Sequence, residues 1–362
     1  FWWIVLTRKW EVIREALYLP GLALFFLVAA PWYVLVCLKN PDFFHFFFIQ
    51  EHFLRYTTRM HGRFEPWWWF IPIIIVGSIP WAGFLPGAIS ASLPSSASSP
   101  TRQDRGRIFL LLWFGVIFLF FSLSSSKLVP YIVPVMPPLA IMMGNFLDLH
   151  MDRGKSRPLG LGLLLNSLVL ATFGVAAAAY PFLDQRYGKE LLPFVAPVAA
   201  VLILLVILSW AYYLKGQSRK VVLALCVFAF LNIATFKNVF GFYDRIMSAR
   251  DLASAIKSQA RPEDVVVQYR DYDQGLPFYL KRRIVLVDWR GELEFGSERG
   301  DQSDWFLDQE GFLRRYWTSG QRVLLVMRDE QDTAFLEETG TIPMVLGRVG
   351  DKMLVTNKGD EP

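Results

Sequence analysis

The residues best suited to chemistry fall in one run, Lys39 to Pro66. Glu51 and Arg55 are four residues apart, as are Arg55 and Arg59, so a helix there carries a charged stripe along one face. Arg63 and Glu65 follow, and three of the four histidines of the chain, His45, His52 and His61, lie in the same run. Guanidinium groups grip phosphate through paired hydrogen bonds. Arg55, Arg59 and Arg63 are therefore candidates for holding a phosphorylated lipid, with Phe43, Phe44, Phe46, Phe47, Phe48 and Phe53 against its apolar part. Glu51, His52 and His61 are all metal-capable, for zinc or magnesium. Their spacing matches no standard motif, and adjacent helical residues diverge by about 100°. Glu51 or Glu65 would serve as a general base. The plain alternative is an amphipathic interfacial helix whose charges face water or lipid headgroups.

A second polar run is Ser122-Leu-Ser-Ser-Ser-Lys127-Leu-Val-Pro-Tyr131. Hydroxyls and a lysine between two apolar stretches are costly unless hydrated or used. Lys127 and Tyr131 are candidates for the same phosphate, against the alternative of a lysine snorkelling beside a tight turn. Asp271, Asp273 and Asp288 follow strand ends further on, and without a partner motif they read as loop residues.

The elements that must position these groups are mostly membrane spans. Of the 362 residues, 54% are hydrophobic and only 19% charged, against about 25% charged in an average soluble domain. The charge is uneven: 29 charged residues precede Lys237 and 40 follow Phe236. This excludes an ordinary cytosolic enzyme, a disordered chain and a collagen-like one. It implies a multispan α-helical membrane region over 1–236 and a soluble domain over 237–362. A span needs about 20 apolar residues. Seven candidates follow: Leu17–Leu38, Trp67–Ile89, Ile108–Leu123, Val129–Leu147, Leu159–Leu183, Leu191–Leu214 and Val221–Phe236. The opening Phe1–Leu6 reads as the last turns of a further span, so the chain is expected to be the C-terminal part of a longer protein.

Twelve Lys and Arg fall in alternate connections: Arg8, Lys9, Arg14; Arg102, Arg105, Arg107; Arg153, Lys155, Arg157; Lys215, Arg219, Lys220. The positive-inside rule puts these in the cytoplasm. The tail, with 18 basic and 22 acidic residues, is then outside, together with loop 39–66. That loop is basic on the outer side, contrary to the rule, which points to a use for its charges. The balance does not suggest nucleic acid. Two cysteines, Cys37 and Cys226, both in apolar stretches, leave the redox compartment unread.

In the tail, Ser248–Gln259 reads as an amphipathic helix and Asp264–Tyr269, Ile284–Asp288 and Arg322–Met327 as buried strands. Glu330–Glu338 reads as a short helix before a final pair near Met344–Leu346 and Met353–Val355. Alternating strands and helices predict a small α/β domain. The tail holds no glycine-rich phosphate loop, nucleophile elbow or metal spacing.

Several motifs occur in order: Pro31-Trp32-Tyr33, Asn40-Pro41-Asp42-Phe43-Phe44, Gln50-Glu51-His52-Phe53-Leu54-Arg55-Tyr56-Thr57, Glu65-Pro66-Trp67-Trp68 and Ser124-Ser125-Ser126-Lys127-Leu128-Val129-Pro130-Tyr131. In these the chain resembles the bacterial aminoarabinose transferase (lipid A) family, grouped with the protein O-mannosyltransferases in the GT-C class. The resemblance covers about residues 1–236, with familiar stretches at Leu276–Leu280 and Gly291–Gly296. It implies a bacterial inner-membrane glycosyltransferase with a periplasmic C-terminal domain. A sugar would move from an undecaprenyl-phosphate (polyprenyl-phosphate) donor to a lipid A-like or protein acceptor at the periplasmic face, with no nucleotide. The family's catalytic aspartate lies in a first periplasmic loop upstream of this sequence, so the chain alone is expected to be inactive. Glu51, His52 and Arg55 would correspond to the family's phosphate- and metal-binding residues, and Lys127 and Tyr131 to its outer turn. Two rivals stand beside this reading. A lipid-linked-sugar transporter or flippase would show repeats and intramembrane charge. A membrane-anchored periplasmic binding module would leave the loop 39–66 unexplained.

Overall fold

The computed structural model describes residues 1–58, 65–94, 101–183 and 188–358, without the side chains of 235–236 and 245–247. The chain divides into two compact units, Phe1–Thr235 and Phe236–Pro362.

The first unit is helical. Six helical segments are long and apolar enough to cross a membrane: Leu19–Lys39, Arg102–Leu123, Val129–Met151, Arg157–Leu183, Gly188–Leu214 and the run that begins at Ser218. Helices pair most of their backbone groups internally, the condition for lying in hydrocarbon. The expected span Trp67–Ile89 is not one straight helix. It is a bent pair, Phe70–Gly77 and Ala82–Ala91, broken by 117°. Pro80 lacks an N–H and opposes helix across the break. The second limb is anchored on the helix Arg157–Leu183: Gly83 N–H donates to Asn166 Oδ1 at 3.2 Å. A Cβ at Gly83 would stand 1.9 Å from the Asn166 backbone nitrogen, so only glycine allows this approach. Around the contact lies the unit's core, with Phe70, Phe84, Ile132, Leu139, Met142 and Leu163 almost wholly buried.

The helix Arg102–Leu123 starts earlier than its apolar run, because Thr101 and Asp104 form a reciprocal capping box. Val129–Val135 is 3-10 helix and becomes α-helix only from Met136. Pro130, Pro134, Pro137 and Pro138 withhold four N–H donors there.

The second unit is a six-stranded sheet in the order β3-β2-β1-β4-β6-β5. The strands are β1 Val265–Tyr269, β2 Val285–Val287, β3 Phe306–Leu307, β4 Val323–Arg328, β5 Met344–Val349 and β6 Lys352–Thr356. β1 pairs in parallel with both β2 and β4, and β6 runs antiparallel to β4. Central strands buried on both faces read as unbroken apolar runs, which is why Val265–Val267 and Val323–Met327 are so hydrophobic. The helix Ala249–Gln259, capped by Ser248, covers one face with Leu252, Ala253 and Ile256. Phe312, Trp317 and Phe335 cover the other. Strand β3 and the helices Gly275–Leu280 and Gln309–Phe312 were not expected from the sequence.

Candidate functional site

The long loop begins where Asn40 closes the helix Leu19–Lys39. It turns at Pro41-Asp42 and becomes a π-helical stretch, His45–Leu54. Wide helical turns of this kind are rare and concentrate at functional sites. The phenylalanines fold back on the preceding helix. The Phe43 ring meets Trp32 edge-on at 5.8 Å and stacks on Phe47 at 5.4 Å, while Tyr33 contacts both Phe47 and Phe48. Phe44 and Phe53 stay exposed.

Arg55 donates from Nη1 to Glu51 Oε2 at 2.8 Å, the four-residue pair that the sequence spacing implied. Both side chains are about three-quarters covered. The Arg55 Nε is buried with no hydrogen-bond partner among the described residues. An unsatisfied buried donor costs roughly 1–3 kcal/mol, and an acceptor arriving beside it recovers that cost. His52 Nδ1 lies 2.5 Å from the Phe47 carbonyl oxygen. With Nδ1 as donor, Nε2 is left as the ring's lone-pair atom, the arrangement in which a histidine ligates metal. Glu51 and His52 provide two donors. The third, His61, lies outside the described residues, as do Arg59 and Arg63. Among the described residues no three His, Cys, Asp or Glu side chains gather as a metal site.

The loop is sewn to the turn Ser124–Lys127. Ser125 N–H donates to the Tyr56 carbonyl at 2.8 Å, and Ser125 Oγ to the Thr57 carbonyl at 3.2 Å. The Tyr56 hydroxyl donates to the Phe120 carbonyl at 2.9 Å. Lys127 Nζ donates to the Glu65 carbonyl at 2.8 Å and to the Ser124 carbonyl at 2.5 Å. Lys127 is only 5% exposed. That burial lowers its pKa from the ordinary lysine value, and the nearby Glu65 carboxylate opposes the shift. Ser126 Oγ in the same turn and Ser122 Oγ in the helix before it are buried without partners among the described residues. The Tyr131 ring packs on Phe121 at 5.1 Å, within the apolar core. The structure thus brings Glu65 and Lys127 together at one loop–turn junction, with Arg55 the residue before Tyr56, whose carbonyl bonds to the turn. The stitches through Tyr56, Thr57 and Ser125 are mainly backbone bonds, so residue identity gave little sign of them.

Elsewhere the connections touch in two pairs, the N-terminal segment with the start of the helix Arg102–Leu123, and residues 152–156 with residues 213–219. Trp3 Nε1 donates to the Arg105 carbonyl at 2.9 Å. Arg219 pairs with Asp152 at 2.5 Å, and the Tyr213 hydroxyl reaches the Ser156 carbonyl at 3.1 Å.

In the second unit, Arg270 and Asp288 end β1 and β2, and each has a left-handed backbone, φ 50°. Arg270 makes two bonds to Glu338, at 3.0 and 2.8 Å, and a third to Asp288 at 3.3 Å. The buried Tyr269 hydroxyl donates to Gln309 and Glu338. Asp271 pairs with Arg328 and Asp273 with Lys352. These aspartates are held in ion pairs that close the carboxyl edge of the sheet.

A multispan helical membrane unit followed by a small α/β domain defines the class of fold. Residues 252–357 match the family model described as the aminoarabinose transferase C-terminal domain. The chain is 25% identical over 91% of its length to an undecaprenyl phosphate-alpha-4-amino-4-deoxy-L-arabinose arabinosyl transferase of Proteus mirabilis, covering 59% of it. It is 31% identical over 82% of its length to one of Pseudomonas aeruginosa, covering 53%. It superposes on crystal structures of ArnT from Cupriavidus metallidurans. With undecaprenyl phosphate bound, the TM-score is 0.80 at 27% identity, over 99% of this chain and 64% of that one. The apo form gives 0.77 at 25% identity. In its C-terminal domain, its sequence and its fold the chain is similar to the aminoarabinose transferases. It spans between about half and two thirds of the length of these relatives.

Proposed function

We propose that this chain is the donor-binding and C-terminal part of a membrane glycosyltransferase that moves a sugar from a polyprenyl-phosphate carrier to a lipid acceptor. The observation that carries the reading is the loop–turn junction. There the buried Arg55 Nε lacks a partner among the described residues while its Nη1 is fixed by Glu51, so a guanidinium edge is held in place for an anion. The likeness to a protein crystallised with undecaprenyl phosphate supports a lipid phosphate as that anion.

In this reading, the acceptor hydroxyl gives its proton to a carboxylate and attacks the anomeric carbon. The bond from that carbon to the phosphate oxygen breaks, and the polyprenyl phosphate leaves with the electron pair. Arg55 stabilises the charge growing on the phosphate, and Arg59 and Arg63 join it there. Lys127 holds the loop against the turn through its two carbonyl bonds and adds its positive charge to the phosphate site, while Tyr131 packs on Phe121 at the start of the next span. Glu51 orients Arg55, and Glu65 is the local candidate for the base. A divalent metal at this junction would take His52 through Nε2, with Glu51 and His61 as its other ligands. It would supply further positive charge to the leaving group.

The contacts also support seven crossings. Tyr56, Thr57 and Glu65 bond to the turn 125–127, so both lie on one side. The helix Arg102–Leu123 crosses once between them, so the bent pair Phe70–Gly77 and Ala82–Ala91 must cross once as well. By alternation of the spans, the connections that contain Arg105, Arg153 and Arg219 then share the other side, and those of Arg153 and Arg219 touch through Asp152 and Arg219. The positive-inside rule makes that side cytoplasmic. The junction and the C-terminal domain are periplasmic, at a bacterial inner membrane.

Titration of the purified chain with undecaprenyl phosphate in mixed micelles, read by phosphorus NMR, tests the site. Saturable broadening of the phosphate signal in wild type but not in Arg55→Ala is expected. Equal binding by both proteins removes Arg55 from the site.

A further inference from the structure

The second unit contains a cleft that the transfer chemistry does not use. It lies on the sheet face covered by the helix Ala249–Gln259, beside β2 and β3, and encloses about 220 Å³. Drug-sized ligands occupy pockets of roughly 300–1,000 Å³, so this volume suits one ring. Leu286, Phe306, Tyr272 and Trp305 are among the residues that line it. Tyr272 contacts Trp289, with ring centroids 5.2 Å apart. Aromatic residues lining a one-ring space suit a flat, C–H-rich face, because the negative ring faces attract the weakly positive hydrogens.

Arg283 lies at the same cleft, its guanidinium 5.2 Å over the Trp305 ring. It is exposed and forms no ion pair or hydrogen bond among the described residues. This distinguishes it from Arg270, Arg322 and Arg328, each of which is fixed by a carboxylate at 2.8–3.3 Å. A guanidinium stacked on an aromatic face keeps its edge free for paired hydrogen bonds to phosphate. Gln302 also lines the cleft; its Nε2 is engaged with the Arg299 carbonyl at 3.3 Å, which directs its Oε1 to other donors. A sugar hydroxyl is one such donor.

We propose that this cleft binds a single pyranose bearing a phosphate, its ring between Tyr272 and Trp305 and its phosphate on Arg283. The same chemistry is offered by a free sugar phosphate and by the headgroup of a phosphorylated glycolipid. The proposal is independent of the donor site, since binding here is read directly and does not involve Arg55.

The test uses the full chain in detergent and saturation-transfer NMR. Glucose 1-phosphate, glucose, and micelles of a phosphorylated and of a neutral glycolipid are titrated separately. Millimolar saturable binding of a phosphorylated ligand is expected, a free energy of about −4 kcal/mol. Binding of the free sugar phosphate identifies a soluble ligand, and binding of the micellar form alone identifies a lipid headgroup. Arg283→Gln should weaken the phosphorylated ligand by roughly tenfold or more, the scale of a charge-assisted bond, and leave the neutral sugar unchanged. Trp305→Phe should weaken both. Arg283 is exposed, so its replacement keeps the test valid even where the Trp305 variant fails to fold. Absence of saturable binding by every phosphorylated ligand overturns the proposal. So does phosphate-selective binding that Arg283→Gln leaves intact.

Discussion

Lys127 reaches across 62 residues of sequence to hold the main-chain carbonyl of Glu65 at 2.8 Å. With its second bond, to the Ser124 carbonyl, it closes the long loop onto the turn between two spans. A nearly buried ammonium on two carbonyls is a fastening. Replacing it with Met keeps most of the volume and leaves both carbonyls short of a donor. The loss expected is about 1–3 kcal/mol for each buried group left unpaired. Lys127→Met should therefore melt earlier in detergent, and Lys127→Arg should recover part of the difference. A melting curve unchanged by Lys127→Met would mean that the Ser125 bonds to Tyr56 and Thr57 hold the loop alone.

Arg55 and Arg102 are both arginines in connections, and they should behave differently. Arg102 is an exposed first residue of its helix, with Arg105 and Arg107 beside it. Arg55 is held by Glu51 and has a buried Nε without a partner among the described residues. In the full-length protein, Arg55→Ala should lower transfer by roughly two to three orders of magnitude, the scale of one lost transition-state donor. Arg55→Lys should recover only a part, because it lacks the paired geometry. Arg102→Ala should have little effect. Turnover assays at matched expression and melting temperature decide this, and equal small effects would leave Arg55 as a surface residue.

The residues explain why some of this was legible and some was not. Val265–Val267 and Leu324–Met327 are apolar runs bounded by polar turns, so the central strands could be read directly. β3 is only Phe306–Leu307, too short to show alternation. The Glu51–Arg55 pair survived because four-residue spacing puts neighbours together in both α- and π-helix, whereas the π form itself leaves almost no compositional mark. The bend at Gly77–Ala82 was hidden within a stretch hydrophobic enough for one span. Its second limb is anchored by the meeting of Gly83 and Asn166, 83 residues apart, which no local pattern shows. The bonds from Ser125 to Tyr56 and Thr57 involve carbonyls that every residue has. The left-handed backbone of Arg270 had no sign in its residue type, whereas aspartate, as at position 288, is one of the few non-glycine types that adopt a positive φ with some frequency.

Seven crossings have a direct test. Cys37 and Cys226 are first changed to Ser, because both are free thiols. Single cysteines are then introduced as Ser125→Cys, Lys155→Cys and Ser258→Cys. In intact cells, a membrane-impermeant thiol reagent should label positions 125 and 258, and should label 155 only after lysis. Ser258 is exposed on the helix Ala249–Gln259, so its reaction is not limited by packing. Labelling of 155 and 258 from the same side would remove one of the three crossings between them.

The last prediction concerns acid and the carboxyl edge of the second unit's sheet. The Arg270 guanidinium, bonded twice to Glu338, holds that carboxyl below its ordinary value of 4.5, and the Tyr269 hydroxyl adds to the shift. A carboxylate with a depressed folded-state pKa contributes stability that is complete above its unfolded value. The contribution is lost as pH falls through the lower folded value. From pH about 4.5 downward, wild type should therefore lose protection at the ends of β1 and β2 faster than Glu338→Gln, which has no carboxyl to titrate there. Above that pH wild type should be the better protected of the two. Hydrogen exchange over residues 265–288, corrected for intrinsic rates, measures this. Arg270→Ala should remove the same acid sensitivity by a different route, because Glu338 then returns toward its ordinary value. Parallel pH profiles in wild type and both variants would show that Asp288 and Gln309 hold the edge without Glu338. A gap that opens above the ordinary carboxylate range would assign the effect to another group.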